Sequence, residues 1–95
     1  MINNEHRQLK WCNVGDRTVE STCIPDRMDV AILFEIRHNE PRYIWITAFQ
    51  WLADLKQNKK IYTNFGRGCL TFSKAKAYPN EHMNEIMDEV RSYIL

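Results

Sequence analysis

A basic stretch with interleaved aromatic residues is the first feature of this sequence that could do chemistry. Between residues 55 and 80 the chain carries six cations and no acidic residue. The aromatic residues in this stretch are Tyr62, Phe65, Phe72 and Tyr78. Because cations neutralise phosphates and aromatic rings stack on bases, the stretch predicts a nucleic-acid-binding surface. Its expected contact residues are Lys56, Lys59, Lys60, Tyr62, Arg67, Lys74 and Lys76.

The same stretch also has a purely structural interpretation. Lysines along an edge strand hinder its pairing with other strands, and Phe65 and Phe72 stand at strand positions that a core would use. Gly66-Arg67-Gly68 could hold an anion with successive amides, but it lacks the Lys and Ser/Thr of a phosphate-binding loop. An ordinary hairpin turn explains both glycines. A solvated, edge-protecting face therefore stays open beside nucleic-acid binding.

Aromatic residues beside arginines form the second candidate site. The chain has three tryptophans and four tyrosines, a large number for so small a core. Tyr43 and Trp45 share one strand face, and exposed aromatics next to arginine are common anchors of protein interfaces. The predicted partner-binding residues are Arg37, Arg42, Tyr43 and Trp45. Alternatively, the N-terminal hairpin folds over this face and buries it.

Catalytic or metal-binding groups are sparse. His38 has carboxylates nearby in sequence, Glu35 and Glu40, but no two histidines stand at metal-ligand spacing. An enzyme would need groups such as His38, Arg67 and Tyr62 to meet in a ribonuclease-like site. We therefore expect a protein that is not an enzyme and that needs no cofactor and no metal.

The three cysteines are an odd number, and none stands two to four residues from another. This spacing argues against a disulfide framework and against a zinc site, so free thiols are expected. A bridge between Cys12 and Cys23 across an N-terminal hairpin is the alternative.

Residues 28–58 contain the clearest structural signals. The near-continuous apolar run 29–37 predicts a central strand covered on both sides, followed by a loop at 38–41 and a second strand at 42–46. Thr47 and Gln50 match a capping box, and apolar residues recur at helical spacing from Ala48. The pattern predicts a helix over 48–57.

The remaining elements are two further hairpins and a helix. Gly15-Asp16 predicts a two-residue turn between strands 8–14 and 17–24, and residues 66–68 separate strands 61–65 and 69–73. Apolar spacing from Met83 to Ile94 predicts a final helix over 80–94. The expected fold class is α+β: an antiparallel sheet of four to six strands built from hairpins, with both helices packed on one face.

Length and composition suit one small compact domain over 1–95, with residues 1–7 loosely attached. Of the 95 residues, 44% are hydrophobic and 26% charged, and the net charge of +1 gives no general attraction to nucleic acid or membrane. No segment has the length of a membrane span or the form of a secretory signal, so a cytoplasmic location is expected.

By elimination, we expect a stoichiometric binder of a macromolecular partner, such as an inhibitor, immunity protein, antitoxin or mobile-element accessory factor. A protein partner is favoured, a nucleic-acid-binding module is the alternative, and homodimer formation is left open.

Overall fold

Five antiparallel strands, joined in chain order, form the sheet that organises the fold. The computed structural model describes residues 11–65, 68 and 71–95. Among these, the elements are β1 (Cys12–Val14), β2 (Arg17–Ile24), β3 (Arg27–Arg37), β4 (Trp45–Leu52), β5 (Gln57–Phe65) and α1 (Phe72–Arg91). Each strand pairs with the next, in the order β1-β2-β3-β4-β5. The α+β class and the antiparallel sheet are confirmed, but the described residues form one helix instead of two.

The strand predicted over 29–37 lies at the centre of the sheet, as expected. β3 hydrogen-bonds to β2 on one side and to β4 on the other. Val30, Ile32, Phe34 and Ile36 are all fully buried. The two neighbouring strands of β3 satisfy its backbone, and α1 covers these four side chains. Within the described residues no helix covers the other face of β3, so the predicted cover on both sides is found on one side only.

The N-terminal hairpin also forms where the glycine predicts it. Val14 pairs with Arg17, so Gly15 and Asp16 are the whole loop. Gly15 has φ of 62°, a left-handed conformation that glycine adopts without a Cβ clash. The first strand was predicted to begin at residue 8, and residues 8–10 lie outside the described ranges.

The helix predicted over 48–57 is wrong. Residues 45–52 are strand β4, residues 53–56 are a turn, and β5 begins at Gln57. Thr47 therefore caps nothing: it lies in mid-strand, opposite Leu33 and Thr63. The turn contains no glycine or proline, and Lys56 adopts a φ of 51° there. With only Asp54 and no glycine or proline to mark the turn, this hairpin is hard to see in the sequence.

The strand predicted over 69–73 is also wrong where it can be seen. Cys69 and Leu70 lie outside the described residues, as do Gly66 and Arg67, whose predicted hairpin turn and anion-binding role stay predictions. Phe72 and Ser73 belong to α1. Thr71 is the N-cap of this helix, because its hydroxyl accepts a hydrogen bond from the Lys74 amide at 3.1 Å.

The C-terminal helix exists but begins eight residues before its predicted start and ends at Arg91 instead of 94. Pro79 lies inside it and is buried, although proline removes a helical hydrogen bond and usually marks a boundary. The helix departs from ideal geometry at His82, where φ is −123° and ψ is 18°. The chain thus keeps Pro79 in the helix at the cost of a local kink.

Helix α1 covers one face of the sheet, called here the helix-covered face. Its buried residues Ala75, Ile86 and Val90 pack with alternate residues of the strands. Those strand residues are Ile24, Val30, Ile32, Phe34, Ile36, Ile46, Ala48 and Tyr62, joined by Ile44 from the loop before β4. No helix formed by the described residues is long and apolar enough to cross a membrane.

Polar contacts fix the end of the helix to the sheet. The Arg91 guanidinium donates to Asp26 in the β2–β3 turn at 2.9 Å, and this hydrogen bond lowers the pKa of Asp26. The buried Gln50 side chain accepts from the Leu95 amide at 2.9 Å. These contacts set the direction in which α1 crosses the strands.

The predicted alternative of a Cys12–Cys23 disulfide is wrong. The register of β1 and β2 places Cys12 opposite Val19, four residues from Cys23 along the strand. At about 3.3 Å per residue, that separation is well beyond the reach of a disulfide. Cys23 is half-buried and carries a free thiol, whereas Cys69 lies outside the described residues.

Candidate functional site

The sheet face opposite α1, called here the open face, is the strongest candidate for a functional surface. It is formed by the residues that alternate with the buried ones. They are Cys12, Val14, Arg17, Val19, Ser21, Cys23, Ala31, Leu33, Glu35, Arg37, Trp45, Thr47, Phe49, Trp51, Lys60, Thr63 and Phe65. Within residues 11–65, 68 and 71–95 no helix packs on this face, and Trp51 and Phe65 remain 45% and 44% exposed.

A buried carboxylate between two arginines lies at the centre of the open face. Glu35 is only 8% exposed. Its Oε2 accepts from Arg37 Nε at 3.0 Å and lies 3.5 Å from Arg17 Nη1. Arg17 and Arg37 are directly opposite each other on β2 and β3, an arrangement of like charges that is unfavourable unless compensated. Glu35 supplies that compensation.

Arg37 also contacts aromatic residues beside it. Together they form a group called here the Trp45 cluster: Arg37, Tyr43, Trp45 and Phe65. The Arg37 guanidinium carbon lies 4.1 Å from the Trp45 ring centroid, a cation–π contact. Phe65 packs edge-to-face on Trp45 at 4.2 Å and stacks on Tyr43 at 5.2 Å between centroids. The Trp45 Nε1 hydrogen is buried and has no acceptor among the described residues.

Three of the four predicted partner-binding residues therefore come together. Arg37, Tyr43 and Trp45 share the Trp45 cluster, whereas Arg42 is exposed in the loop between β3 and β4. The N-terminal hairpin does not fold over the face in its described part, because β1 and β2 extend the same sheet sideways.

The predicted basic surface is divided between two ends of the molecule. Lys56 lies in the turn before β5 and Lys59 and Lys60 lie near its start, whereas Lys74 and Lys76 lie in the first turns of α1. That end of α1 is near the β3–β4 loop, since the ring centroids of Phe72 and His38 are 6.5 Å apart. About 17 Å of strand separates Lys60 from the other end of β5. Tyr62 is buried in the core, and Arg67 lies outside the described residues.

Of the groups considered for catalysis, His38 bonds to Thr18, Tyr62 is buried among core residues, and Arg67 lies outside the described residues. His38 Nε2 lies 2.8 Å from the Thr18 hydroxyl, which also donates to Asn13. Glu35 lies on the open face, on the other side of the sheet from His38, and its carboxylate is held by Arg17 and Arg37. Among the described residues, no group of three His, Cys, Asp or Glu side chains could hold a metal ion.

Sequence reasoning missed Arg17, Glu35 and Phe65 as members of the site. Arg17 and Glu35 could not be found from the turn at Pro25-Asp26, because the register shifts between Cys23 and Ile24: the turn pairs Ile24 with Arg27, whereas beyond the shift Arg17 lies opposite Arg37. Phe65 could not be found either, since the helix predicted over 48–57 hid the pairing of Trp45 with Phe65.

Comparison of the chain with known protein families, with curated proteins and with solved structures finds no match.

Proposed function

We propose that this protein is a non-enzymatic binding protein that associates stoichiometrically with another protein through its open face, with the Trp45 cluster at the centre. One observation carries the proposal. The sheet presents tryptophan, phenylalanine and leucine side chains on a face that no helix of the described chain covers. Large exposed apolar patches are rare on monomeric proteins, and where they occur they usually mark interaction sites.

The composition of the face supports a protein partner. Tryptophan, tyrosine, phenylalanine and arginine are enriched at protein interfaces, and tryptophan and arginine supply much of the binding energy there. Trp45 also offers a buried N–H without an acceptor in the described structure, which a partner carbonyl or carboxylate could satisfy if the side chain shifts slightly.

The Trp45 cluster is already ordered before any partner binds. Arg37 is held by Glu35 and by the Trp45 ring, and Phe65 packs on Trp45 and Tyr43. Association costs free energy for each side chain that must be immobilised, so a preformed cluster lowers that cost. Preorganisation of this kind is expected of a recognition surface.

The charge of the face indicates which partner it suits. Arg17 and Arg37 share one carboxylate, and Lys60 lies opposite Phe49 on the same face. The face is therefore apolar with a positive excess, which favours a partner surface that is apolar at its centre and acidic at its rim. Two copies of this chain facing each other would bring like charges together, so a different protein is the proposed occupant.

The test compares matched variants on the two sides of the molecule. A partner captured with the unmodified protein is purified, and its binding is measured by calorimetry. Two variants test the open face, Trp45→Ala and Trp51→Ala, and Arg42→Ala tests its adjoining loop. The control is Glu81→Ala on the exposed side of α1. We expect Trp45→Ala to weaken a one-to-one complex by about 30-fold or more, and Glu81→Ala to leave it unchanged.

Circular dichroism shows whether Trp45→Ala still folds, and the exposed Trp51 keeps the test valid if it does not. Full affinity in both tryptophan variants, or equal loss in Glu81→Ala, would overturn the proposal. A native mass that shows only a dimer of this chain would replace the foreign partner with a second copy.

Nucleic-acid binding remains the alternative function, with less support. Its lysines are divided between the start of β5 and the first turns of α1, and Tyr62 is buried among core residues. Binding to single- and double-stranded DNA and RNA at two salt concentrations separates the two functions. Micromolar binding that weakens steeply with salt and is lost on replacing Lys59 and Lys60 would favour nucleic acid.

A further inference from the structure

Strand β5 forms one edge of the sheet, and its outer side is free within the part of the chain that the structure describes. Among the described strands, β5 is last in the order and hydrogen-bonds only to β4. All of its residues except Ile61 and Tyr62 are exposed. A free edge presents a row of unpaired N–H and C=O groups with which another strand can pair. The proposed binding function uses the open face and leaves this edge unused.

A bulge in β5 determines which residues can meet across this edge. Tyr62 and Lys60 lie opposite consecutive residues of β4, so Ile61 is an extra residue without a partner there. Side chains alternate between the two faces of the sheet before and after the bulge, but the alternation shifts by one residue at it. As a result, the helix-covered face carries Lys59, Tyr62 and Asn64, whereas Lys60 is on the open face.

This shift decides how a second copy of β5 can pair antiparallel with the first. A two-fold axis through the joined sheet requires residues of the same face to lie opposite each other. Along the whole strand, only a residue before the bulge opposite one after it meets this condition. Lys59 then lies opposite Tyr62 or Asn64 of the second copy, and no lysine lies opposite a lysine. The repulsion between like charges that guards many edge strands is therefore avoided.

The place that Lys59 reaches in the second copy is acidic. Tyr62 and Asn64 line a groove of about 410 Å³ between β5 and α1, and Glu85 and Glu89 line its helix side. The described lining contains no lysine or arginine. Glu85 has the His82 ring as a partner at 2.7 Å, but no cation of the described chain lies within ion-pair distance of Glu89. One β5 edge thus offers both a free lysine and a site that suits it.

We infer that two copies of this protein associate by antiparallel pairing of their β5 edges, with Lys59 of each copy at the Glu89 carboxylate of the other. The pairing joins two five-stranded sheets into one continuous sheet. A second copy is the occupant because the charge pattern of β5 and α1 is complementary to itself under a two-fold axis. Both helices lie on one side of the joined sheet, so both open faces stay free and the one-to-one ratio of the proposed complex is kept.

Sedimentation equilibrium and amide hydrogen exchange on the full chain test the inference. We expect a monomer–dimer equilibrium without any added partner. We also expect exchange of the β5 amides to slow as the protein concentration rises, because pairing covers their outer edge. A chain that stays monomeric at millimolar concentration, or a dimer in which β5 exchange does not change, would overturn the inference.

Exchanging the two charges separates this dimer from any other. Lys59→Glu and Glu89→Lys should each weaken it about tenfold or more, since each replaces an attraction by a repulsion at two symmetric places. The variant with both changes should recover most of that loss. Lys74→Glu and Glu81→Lys, which make the same charge changes away from β5 and outside the groove, are the matched controls.

The outcome is decisive in either direction. Failure of the double variant to recover, an equal loss in the matched controls, or loss of the dimer in Trp51→Ala instead would each contradict pairing through β5. Circular dichroism checks that each variant is folded, and the exchange measurement on the unmodified protein does not depend on any variant.

Discussion

The two faces of the sheet use apolar residues in different ways. On the helix-covered face, isoleucine, valine and Phe34 are fully buried against α1. On the open face, Trp45 contacts both the Phe65 ring and the Arg37 guanidinium, while Trp51 and Phe65 stay partly exposed. The strands alternate between these two environments residue by residue, so one backbone carries both a core and the proposed recognition surface.

The difference teaches that burial and order are separate properties here. The helix-covered face is ordered because close packing leaves its side chains no room to move. The Trp45 cluster is ordered by directed contacts instead: an ion pair, a cation–π contact and two ring contacts. We expect substitutions on the first face to change stability and substitutions on the second to change association.

The largest expected effect is the loss of Phe34, at the centre of β3 on the helix-covered face. Phe34→Ala should lower the free energy of unfolding by about 3–5 kcal/mol, because it leaves a cavity against α1. Trp51→Ala on the open face should cost less than about 1 kcal/mol, since nearly half of that side chain is already in water. Denaturation in urea measures both, and equal costs would show that the open face also serves as a core.

A smaller effect is expected from the ion cluster of the open face. Glu35→Gln keeps the shape of the side chain but leaves Arg37 without its carboxylate partner and Arg17 with only the exposed Asp16 at 4.0 Å. The arginine side chains are each 42% exposed and therefore partly screened, so the expected loss is about 1–2 kcal/mol. Glu40→Gln in the exposed loop is the control. Unchanged urea midpoints for both variants would show that the Glu35 carboxylate does not stabilise the folded state.

The smallest effect concerns pH and the end of the sheet where α1 is anchored. Hydrogen bonds from Arg27, and then from Gln50, lower the pKa of Asp29 from 3.8 to about 2. A folded-state pKa below the unfolded one gives stability that is present above about pH 4 and is lost as pH falls towards about 2. Asp29→Asn should therefore flatten the acid limb of stability against pH in that window.

Urea unfolding at several acidic pH values checks the Asp29 prediction, with Asp54→Asn in the exposed β4–β5 turn as the control. If Asp29→Asn and the unmodified protein lose stability in parallel, the Asp29 hydrogen bonds do not favour the folded state.

Local sequence alone determined the centre and both ends of the described fold. The apolar run of β3 is most stable between two other strands that satisfy its backbone on both edges, so its central place follows from its composition. Gly15 fixes the first turn because the conformation needed there is costly for other residues. The stripe from Met83 to Val90 predicts the last helix because no strand would place those residues on one side.

Tertiary pairing alone decided between helix and strand over residues 45–52. Ala48 and Leu52 are four apart, so they share a face in a helix and also in a strand. The predicted helix would bury Trp51 and Leu55 as well, yet these are 45% and 63% exposed, while Gln50 is buried. Pairing with β3 and β5 over the whole length of β4 outweighed the local capping signal of Thr47, which is worth only about 1 kcal/mol.

The start of α1 and the make-up of the Trp45 cluster were likewise decided by contacts between distant residues. Pro79 disfavours a helix locally, but burying Ala75 and Pro79 against the sheet compensates for the kink near His82. Arg17, Glu35 and Arg37 meet only after β2 and β3 pair, and Trp45 meets Phe65 only after β4 and β5 pair. Side-chain chemistry is written in the sequence, but which side chains become neighbours depends on strand register, and register is set by packing of the whole sheet.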